Sequence, residues 1–395
     1  MSYLSAWSRI RGTPSLLGVA VGPGSADRKN NLLGDLLMKK HLIAAGVVAA
    51  FAAPAMAQNV TVYGIVDAAI QSFDNGTSSY TRNIDGAIAT SRLGVRGTED
   101  LGGGLKANFQ LEGQLRPNTG AMGATTTTTA NQIFNREAWA GISGGWGEIR
   151  IGVQDVTYTQ DIDSGTSQAG NLSLSAGINT GNTAPVNGEL GSDQTNVIKY
   201  ISPTFAGFSF QVGYASGNNF DAATDAAKEQ YGLFGQYSSG PLKVMLGVHS
   251  SNNQASATDA GATTTDKKSK IIGASYDFGF MSVGGHVNKG EKVASGDRDV
   301  TIQQASARVP LANGFAAHLV VARGEVKNVT NAEGSGYTLA VTKALSKRTS
   351  LYGAYTSTSA DPAATFSMTG VGVASASNVQ GADRSAVTLG MVHSF

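Results

Sequence analysis

No cysteine occurs among the 395 residues, so no disulfide can staple this chain. Charged residues make up only 14%, which excludes a solvated disordered chain. Outside the N-terminal leader there is no run of about 18 apolar residues to cross a bilayer as a helix. That absence does not exclude a membrane crossed by strands. A surplus of positive charge is also missing, and with it any nucleic-acid footprint. Gly102-Gly103-Gly104 could be misread as a phosphate loop, but no P-loop lysine and helix follow it. The histidines His249, His286, His318 and His393 fall on four separate strands and none forms an i, i+4 ligand pair on a helix. Nothing therefore calls for a metal or a cofactor, and catalysis has little support. His249 with Asp277 at a barrel rim is the competing enzymatic reading.

What is present is alternation. In Ser91 to Gly113, Leu93 and Val95 point one way while Arg92, Gly94, Arg96 and Thr98 point the other, because successive strand side chains alternate faces. After the turn Leu101 to Gly104, Leu105, Ala107, Phe109 and Leu111 share one face and Lys106, Asn108, Gln110 and Glu112 the opposite one. An isolated hairpin of this kind is marginal, but the signature recurs to the last residue. Sixteen such segments can be counted, from Val60–Phe73 to Arg384–Phe395. Short turns such as Gly144-Gly145-Trp146 alternate with long connections rich in Gly, Ser, Thr, Asn and Ala, including the low-complexity run Ala124 to Ala130.

This pattern predicts an all-β, transmembrane antiparallel β-barrel of sixteen strands with short periplasmic turns and long external loops. Backbone polar groups in hydrocarbon must all be paired, so strands in lipid close without edges. Sixteen strands leave a lumen too wide for side chains to fill, which makes an aqueous channel. Apolar faces then meet lipid and charged faces meet water inside. Phe109, Trp139, Trp146, Phe208, Phe278, Phe280, Phe315, Tyr352 and Phe395 are expected in aromatic girdles. A soluble β-sandwich would bury the apolar face instead and rarely needs sixteen strands.

The leader starts inside the numbering. Met38-Lys39-Lys40-His41 is a basic n-region, Leu42 to Ala53 an apolar core, and Ala55-Met56-Ala57 a cleavage site before Gln58. Residues 1–37 read as an upstream extension from a misplaced start, 38–57 as a signal peptide and 58–395 as the barrel. A genuine extended signal is the alternative. The whole chain has 29 Lys/Arg and 28 Asp/Glu; losing six of the former and two of the latter leaves 23 and 26, a mature charge of −3.

Several stretches resemble the general trimeric porins of β-proteobacteria, of the Neisseria, Bordetella and Burkholderia type. They are Val60-Thr61-Val62-Tyr63-Gly64-Ile65-Val66-Asp67, Phe134-Asn135-Arg136-Glu137-Ala138-Trp139, Tyr200-Ile201-Ser202-Pro203, Leu345 to Tyr352 and the terminal Gly390 to Phe395. The resemblance spans Gln58 to Phe395. It implies an outer-membrane homotrimer in contact with lipid and lipopolysaccharide, passing small hydrophilic solutes and ions, exported by the general secretory route. It also implies a third external loop folded inward as the constriction, and a closing strand read by the barrel-assembly machinery. Val387, Leu389, Met391 and Phe395 alternate toward lipid in that strand. Two positions depart from the family, which often has Arg where this chain has Val153 and Val392.

The constriction candidate is the connection 155–195, which carries Asp155, Asp161, Asp163, Glu189 and Asp193 and neither Lys nor Arg. Parity sets Arg92, Arg96, Lys106, Arg150 and Lys199 on the wall facing it. An acidic loop against a basic wall makes a transverse field that sets selectivity; the sign of that selectivity is open. Arg136 shares parity with the lipid-facing Ala138, Ala140 and Ile142, so either a bulge intervenes or it lies at the rim.

Overall fold

The period-two alternation folds into a closed ring of strands. The computed structural model describes residues 60–123, 132–156, 158–172, 178–179, 193–216, 229–254, 265–294, 298–366 and 380–395. The leader, the run Ala124 to Ala130 and Glu189 lie outside the described residues. The ring consists of β1 (Thr61–Asp74), β2 (Arg92–Gly102), β3 (Leu105–Arg116), β4 (Glu137–Gly144), β5 (Gly147–Asp155), β6 (Asp193–Ile201), β7 (Phe208–Ala215) and β8 (Gln230–Ser239). It continues through β9 (Leu242–Gln254), β10 (Thr265–Asp277), β11 (Ser282–Ala294), β12 (Arg298–Pro310), β13 (Phe315–Val326), β14 (Glu333–Ala344), β15 (Thr349–Ala360) and β16 (Arg384–Ser394).

Each strand pairs antiparallel with the next, and β16 returns to β1 from Ile65↔Ser394 to Asp74↔Ser385, so the sheet has no free edge. The other edge of β1 is shared. Its first residues pair with β2, from Thr61↔Arg96 to Ile65↔Arg92, and its last with the short strand Ser79–Asp85 that folds back on it. Sixteen barrel strands were expected, and sixteen form the ring. β10 and β11 run further toward the long loops than their outward apolar residues, because the ladder continues past Ile272 and Val287 through Lys270↔Lys289.

Burial inverts the order of a soluble core. Outward Val62, Ile151 and Leu389 are 61–63% exposed, whereas inward Asp67 and Gln71 are 0% exposed. That is the distribution of a chain whose exterior meets hydrocarbon. Rings of aromatics mark the short-turn end, where Trp146 stacks on Tyr200, and Phe278 lies between Tyr276 and Phe280. Tyr214 with Tyr231 and Tyr337 with Tyr355 form pairs nearer the long loops. Two residues assigned to the girdles face inward instead. Trp139 pairs in register with Gln110 on the lumen side, and Tyr352 donates to Asp67 Oδ1 at 2.5 Å.

The lumen is not polar throughout. Inward Val300, Ile302, Val320 and Val326 are buried with Phe73 and Ala364. They are covered where the connections fold inside: Ile178–Asn179 pairs antiparallel with Thr365–Phe366 near these strands.

Candidate pore constriction

After β5 the chain turns into the lumen rather than away from it. Val156 and Tyr158 lead to helix α1 (Thr159–Thr166), which the low apolar content of TQDIDSGT gives no reason to expect. Tyr158 and Ile162 pack with Phe234, Met245 and Ile271 on the inner faces of β8, β9 and β10. The wall is cut back to receive them. A Cβ at Gly232 would stand 1.9 Å from the Val156 carbonyl oxygen, and one at Gly284 would stand 2.1 Å from that of Thr166. Only glycine admits so close a backbone approach.

Hydrogen bonds fix the rest of the connection. Thr166 Oγ1 lies 2.8 Å from His286 Nδ1 and donates to Ile162 O at 2.7 Å, and Ser306 Oγ donates to Thr166 O at 2.7 Å. His318 Nδ1 meets Gln168 O at 2.5 Å. Asn171 Nδ2 then reaches Gly86 O at 3.0 Å and Thr90 Oγ1 at 3.1 Å, just before β2. The loop therefore runs along the inside of β7–β13 and meets the wall again beside β2.

That course leaves β2–β6 facing the lumen, and this wall carries the predicted cations. Register aligns Arg96 with Gln110, Gln110 with Trp139, and Arg150 with Lys199 on consecutive strands. Arg96 lies 5.0 Å over the Tyr63 ring and Arg150 lies 4.0 Å over Trp139. Such stacking holds a guanidinium extended while leaving its edge to water. Arg96, Gln110, Trp139, Glu148 and Arg150 line a cavity of about 410 Å³.

Carboxylates are interleaved with these cations. Glu112 accepts from Tyr63 Oη at 2.8 Å and Arg136 Nε at 2.7 Å, with Arg92 Nη1 at 3.6 Å. Arg150 Nη2 donates to Glu148 at 2.7 Å. Glu112, Glu148 and Arg136 were not among the predicted site residues. The parity of the first two was readable, but their partners depend on register. Arg136 lies just before β4, where its backbone N–H bonds Glu112 O at 3.1 Å, so strand parity does not govern its side chain.

The loop acids separate. Asp155 and Asp161 lie near Lys199 together with Glu137 of β4, and the Lys199 ammonium also lies 5.1 Å over the Tyr158 ring. Asp163 instead accepts from Gln304 Nε2 at 3.1 Å, on the β12 side. Lys106 sits beside the Gly102–Gly104 turn, paired in register with Asp100, apart from α1. Val153 pairs with Ala138 beside a register shift, and Val392 lies opposite Asp67. His249 bonds Gln230 Oε1 at 3.0 Å and pairs with Ser269, while Asp277 lies at the other end of β10 and caps Gly279 N–H at 2.8 Å. The competing His249–Asp277 pair is therefore not assembled.

The Asp161 carboxyl opens to the lumen but is enclosed by the surrounding wall. Enclosure and the nearby Asp155 push its pKa up to about 6, with Lys199 opposing them. Below about pH 6 the group is neutral, and above it the loop gains one negative charge. The permeability ratio is expected to shift toward cations between pH 5 and pH 7, and Asp161→Asn to remove that dependence. Reversal potentials measured across this pH range in a salt gradient check it.

An edgeless antiparallel ring with an apolar exterior, a charged interior and an inward loop defines a transmembrane β-barrel channel. The family model described as Gram-negative porin matches residues 44–363, and the chain belongs to that family. It is 31% identical over 365 residues to outer membrane porin protein 32 of Delftia acidovorans, covering 91% of this chain and 100% of the relative. It is 32% identical over 275 residues to a Bordetella pertussis outer membrane porin, covering 61% and 66% of the two chains. Among solved structures, an anion-selective porin from Comamonas acidovorans aligns with a TM-score of 0.69 at 29% identity, over 86% of this chain and 100% of that one. A trimer form of OmpT from Vibrio cholerae shares the fold, with a TM-score of 0.62 at 16% identity, over 86% and 100%. The chain is thus an outer-membrane porin of Gram-negative type, a channel rather than an enzyme.

Proposed function

We propose that the channel passes small hydrophilic solutes and ions by passive diffusion with a weak preference for anions, set between the basic wall of β2–β6 and the acidic residues of the inward loop. The observation that carries this reading is the alignment of Arg92, Arg96, Arg150 and Lys199 on that wall. Glu112 is shared by Arg92 and Arg136, which leaves a local positive surplus beside the water-facing Arg96. Fixed charges lining a narrow aqueous section select permeant ions, and the similar Comamonas porin is anion-selective by description. Lys106 extends the basic wall toward the short-turn mouth, while Asp155, Asp161 and Asp163 supply the acidic side. In a planar bilayer under a salt gradient, the reversal potential should take the sign of anion preference. A cation-selective or non-conducting protein would overturn the reading.

The same reading treats residues 1–37 as an extension, 38–57 as a cleaved signal and 58–395 as the exported barrel, which intact-mass measurement of the outer-membrane protein would check at Gln58. It also makes the protein a homotrimer. An unheated sample that already migrates as unfolded monomer would count against this.

The closing strand would serve as the assembly signal. Val387, Leu389 and Met391 point outward at 46–63% exposure, and Phe395 exchanges backbone hydrogen bonds with Gly64 at 3.1 and 3.2 Å. The Phe395 ring occupies the place where a Gly64 side chain would be. Phe395→Ala is expected to lower the heat-modifiable, folded fraction in the outer membrane severalfold, as read on gels. An unchanged fraction would remove the role.

A further inference from the structure

Along one edge β1 changes partner. Ile65 pairs with Arg92 of β2, and Ala68 pairs with Asp85 of the short strand Ser79–Asp85. Asp67 lies in the gap between the two ladders, where an unpaired backbone group would be costly. The segment 86–91 fills that gap. Asp67 N–H donates to Ser91 Oγ at 2.8 Å, Ser91 Oγ donates back to Asp67 O at 3.1 Å, and Gly86 N–H donates to the same carbonyl at 3.2 Å. The inward carboxyl closes on the same segment. Its Oδ2 accepts from Ile88 N–H at 2.7 Å and Ala89 N–H at 2.8 Å, and its Oδ1 accepts from Tyr352 Oη on β15. Asp67 is fully buried, so each of these bonds is expensive to leave unmade.

Two parts of the pore rest on this segment. On one side is the far end of the inward loop. Asn171 N–H donates to Ile88 O at 2.8 Å, and Asn171 Nδ2 donates to Gly86 O and Thr90 Oγ1. Gly170 lies so close that a Cβ there would collide with the Ile88 carbonyl. On the other side is the basic wall, where Arg92 Nε donates to Thr90 O at 2.9 Å. Beneath both, Ala87 is buried with Ala69, Ile84 and Tyr352.

We propose that Asp67 is a positioning residue of the channel: by pinning segment 86–91 it seats the far end of the inward loop and Arg92 on one support, and so sets the aperture between them. This rests on the channel reading given above. Asp67 itself lies behind the segment and acts through it. The near end of the loop has its own anchors on β8–β13, so the two ends of the constriction are held independently, the far one by a single buried carboxyl.

The test uses the full-length protein, whose lack of cysteine permits single thiol reporters. Ala87→Cys reports on the segment and Ala169→Cys on the far end of the loop. Ala215→Cys, packed with Val156 and Val197, reports on the near end. All three positions are buried, and each should react slowly with a small water-soluble thiol reagent. Adding Asp67→Asn should raise the rates at positions 87 and 169 by roughly tenfold or more and leave the rate at 215 unchanged. Adding Asn171→Ala instead should raise the rate at 169 but not at 87, because it frees the loop without freeing its support. Tyr352→Phe removes one donor and keeps the ring, and should raise the rate at 87 by less than Asp67→Asn does. In planar bilayers Asp67→Asn should also raise open-channel current noise, which a support unconnected to the aperture would not affect. Unchanged rates at 87 and 169, an equal rise at 215, or unchanged noise in a heat-modifiable Asp67→Asn protein would each overturn the proposal. Should that variant fail to assemble, an unchanged rate at 87 with Tyr352→Phe would overturn it. The thiol rates do not depend on conduction, which separates failure of this proposal from failure of the channel reading.

Discussion

Gly232→Val is expected to narrow the channel, lowering single-channel conductance on the order of twofold while the barrel stays folded, because the narrowest section dominates conduction. The Cβ alone would fall 1.9 Å from the Val156 carbonyl oxygen, and the Tyr158 ring stands 2.7 Å from the same point. Neither can give way cheaply. Val156 is backbone leading directly out of β5, and Tyr158 is fully buried against Phe234 at a ring-centroid distance of 5.7 Å. Overpacking of this kind costs roughly 1–3 kcal/mol. That cost falls on the loop and not on the ladder, since Gly232 keeps its pairing with Gly213 and His249 through its backbone. The loop should therefore be pushed off β8 toward the wall of β2–β6. Unchanged conductance in a variant that remains heat-modifiable would mean that the loop is not the constriction.

The double replacement Arg92→Ser/Arg96→Ser is expected to move the anion-to-cation permeability ratio toward cations by about one order of magnitude. A fixed unit charge about 7 Å from a permeating ion in water contributes about 0.6 kcal/mol. Two such charges, acting in opposite senses on the two ion types, sum to about 2.4 kcal/mol, which salt screening over about 7 Å roughly halves, leaving about a tenfold change. Removing Arg92 also leaves Glu112 with Arg136 as its remaining guanidinium, which adds to the shift. The reversal potential in a salt gradient reads this directly, and an unchanged value would remove both residues from the selectivity mechanism.

Much of this was legible in the sequence because a lipid-facing strand has to write its pattern plainly. Leu93 and Val95 against Arg92 and Arg96, or Ile149 and Ile151 against Arg150, admit one assignment of faces once the ring closes. The glycine turns set where each strand reverses. What the pattern could not carry was anything decided by register or by irregular backbone. Glu112 stands in the same inward row as Gln110, but the two arginines and the tyrosine that it gathers come from β1, β2 and the residue before β4. Trp139 looks like a girdle aromatic until its pairing with Gln110 turns it inward. The groove that receives α1 is built from Gly232, Gly247, Gly273 and Gly284, which are unremarkable among 51 glycines until adjacent strands bring them side by side. The apolar inward patch of Val300, Ile302 and Val320 breaks the polar-inside rule because loops, not water, cover it.

The central claim is that permeating solutes pass between α1 and the wall of β2–β6. The absence of cysteine makes it directly accessible to single-site thiol chemistry. Gln110→Cys, in the cavity lined by Arg96 and Arg150, should react with a bulky water-soluble thiol reagent and lose most of its single-channel current. Ile198→Cys, on the outward face of β6, should keep its current under the same treatment. Undiminished current after complete modification of the Gln110 position, verified by mass, would contradict the account.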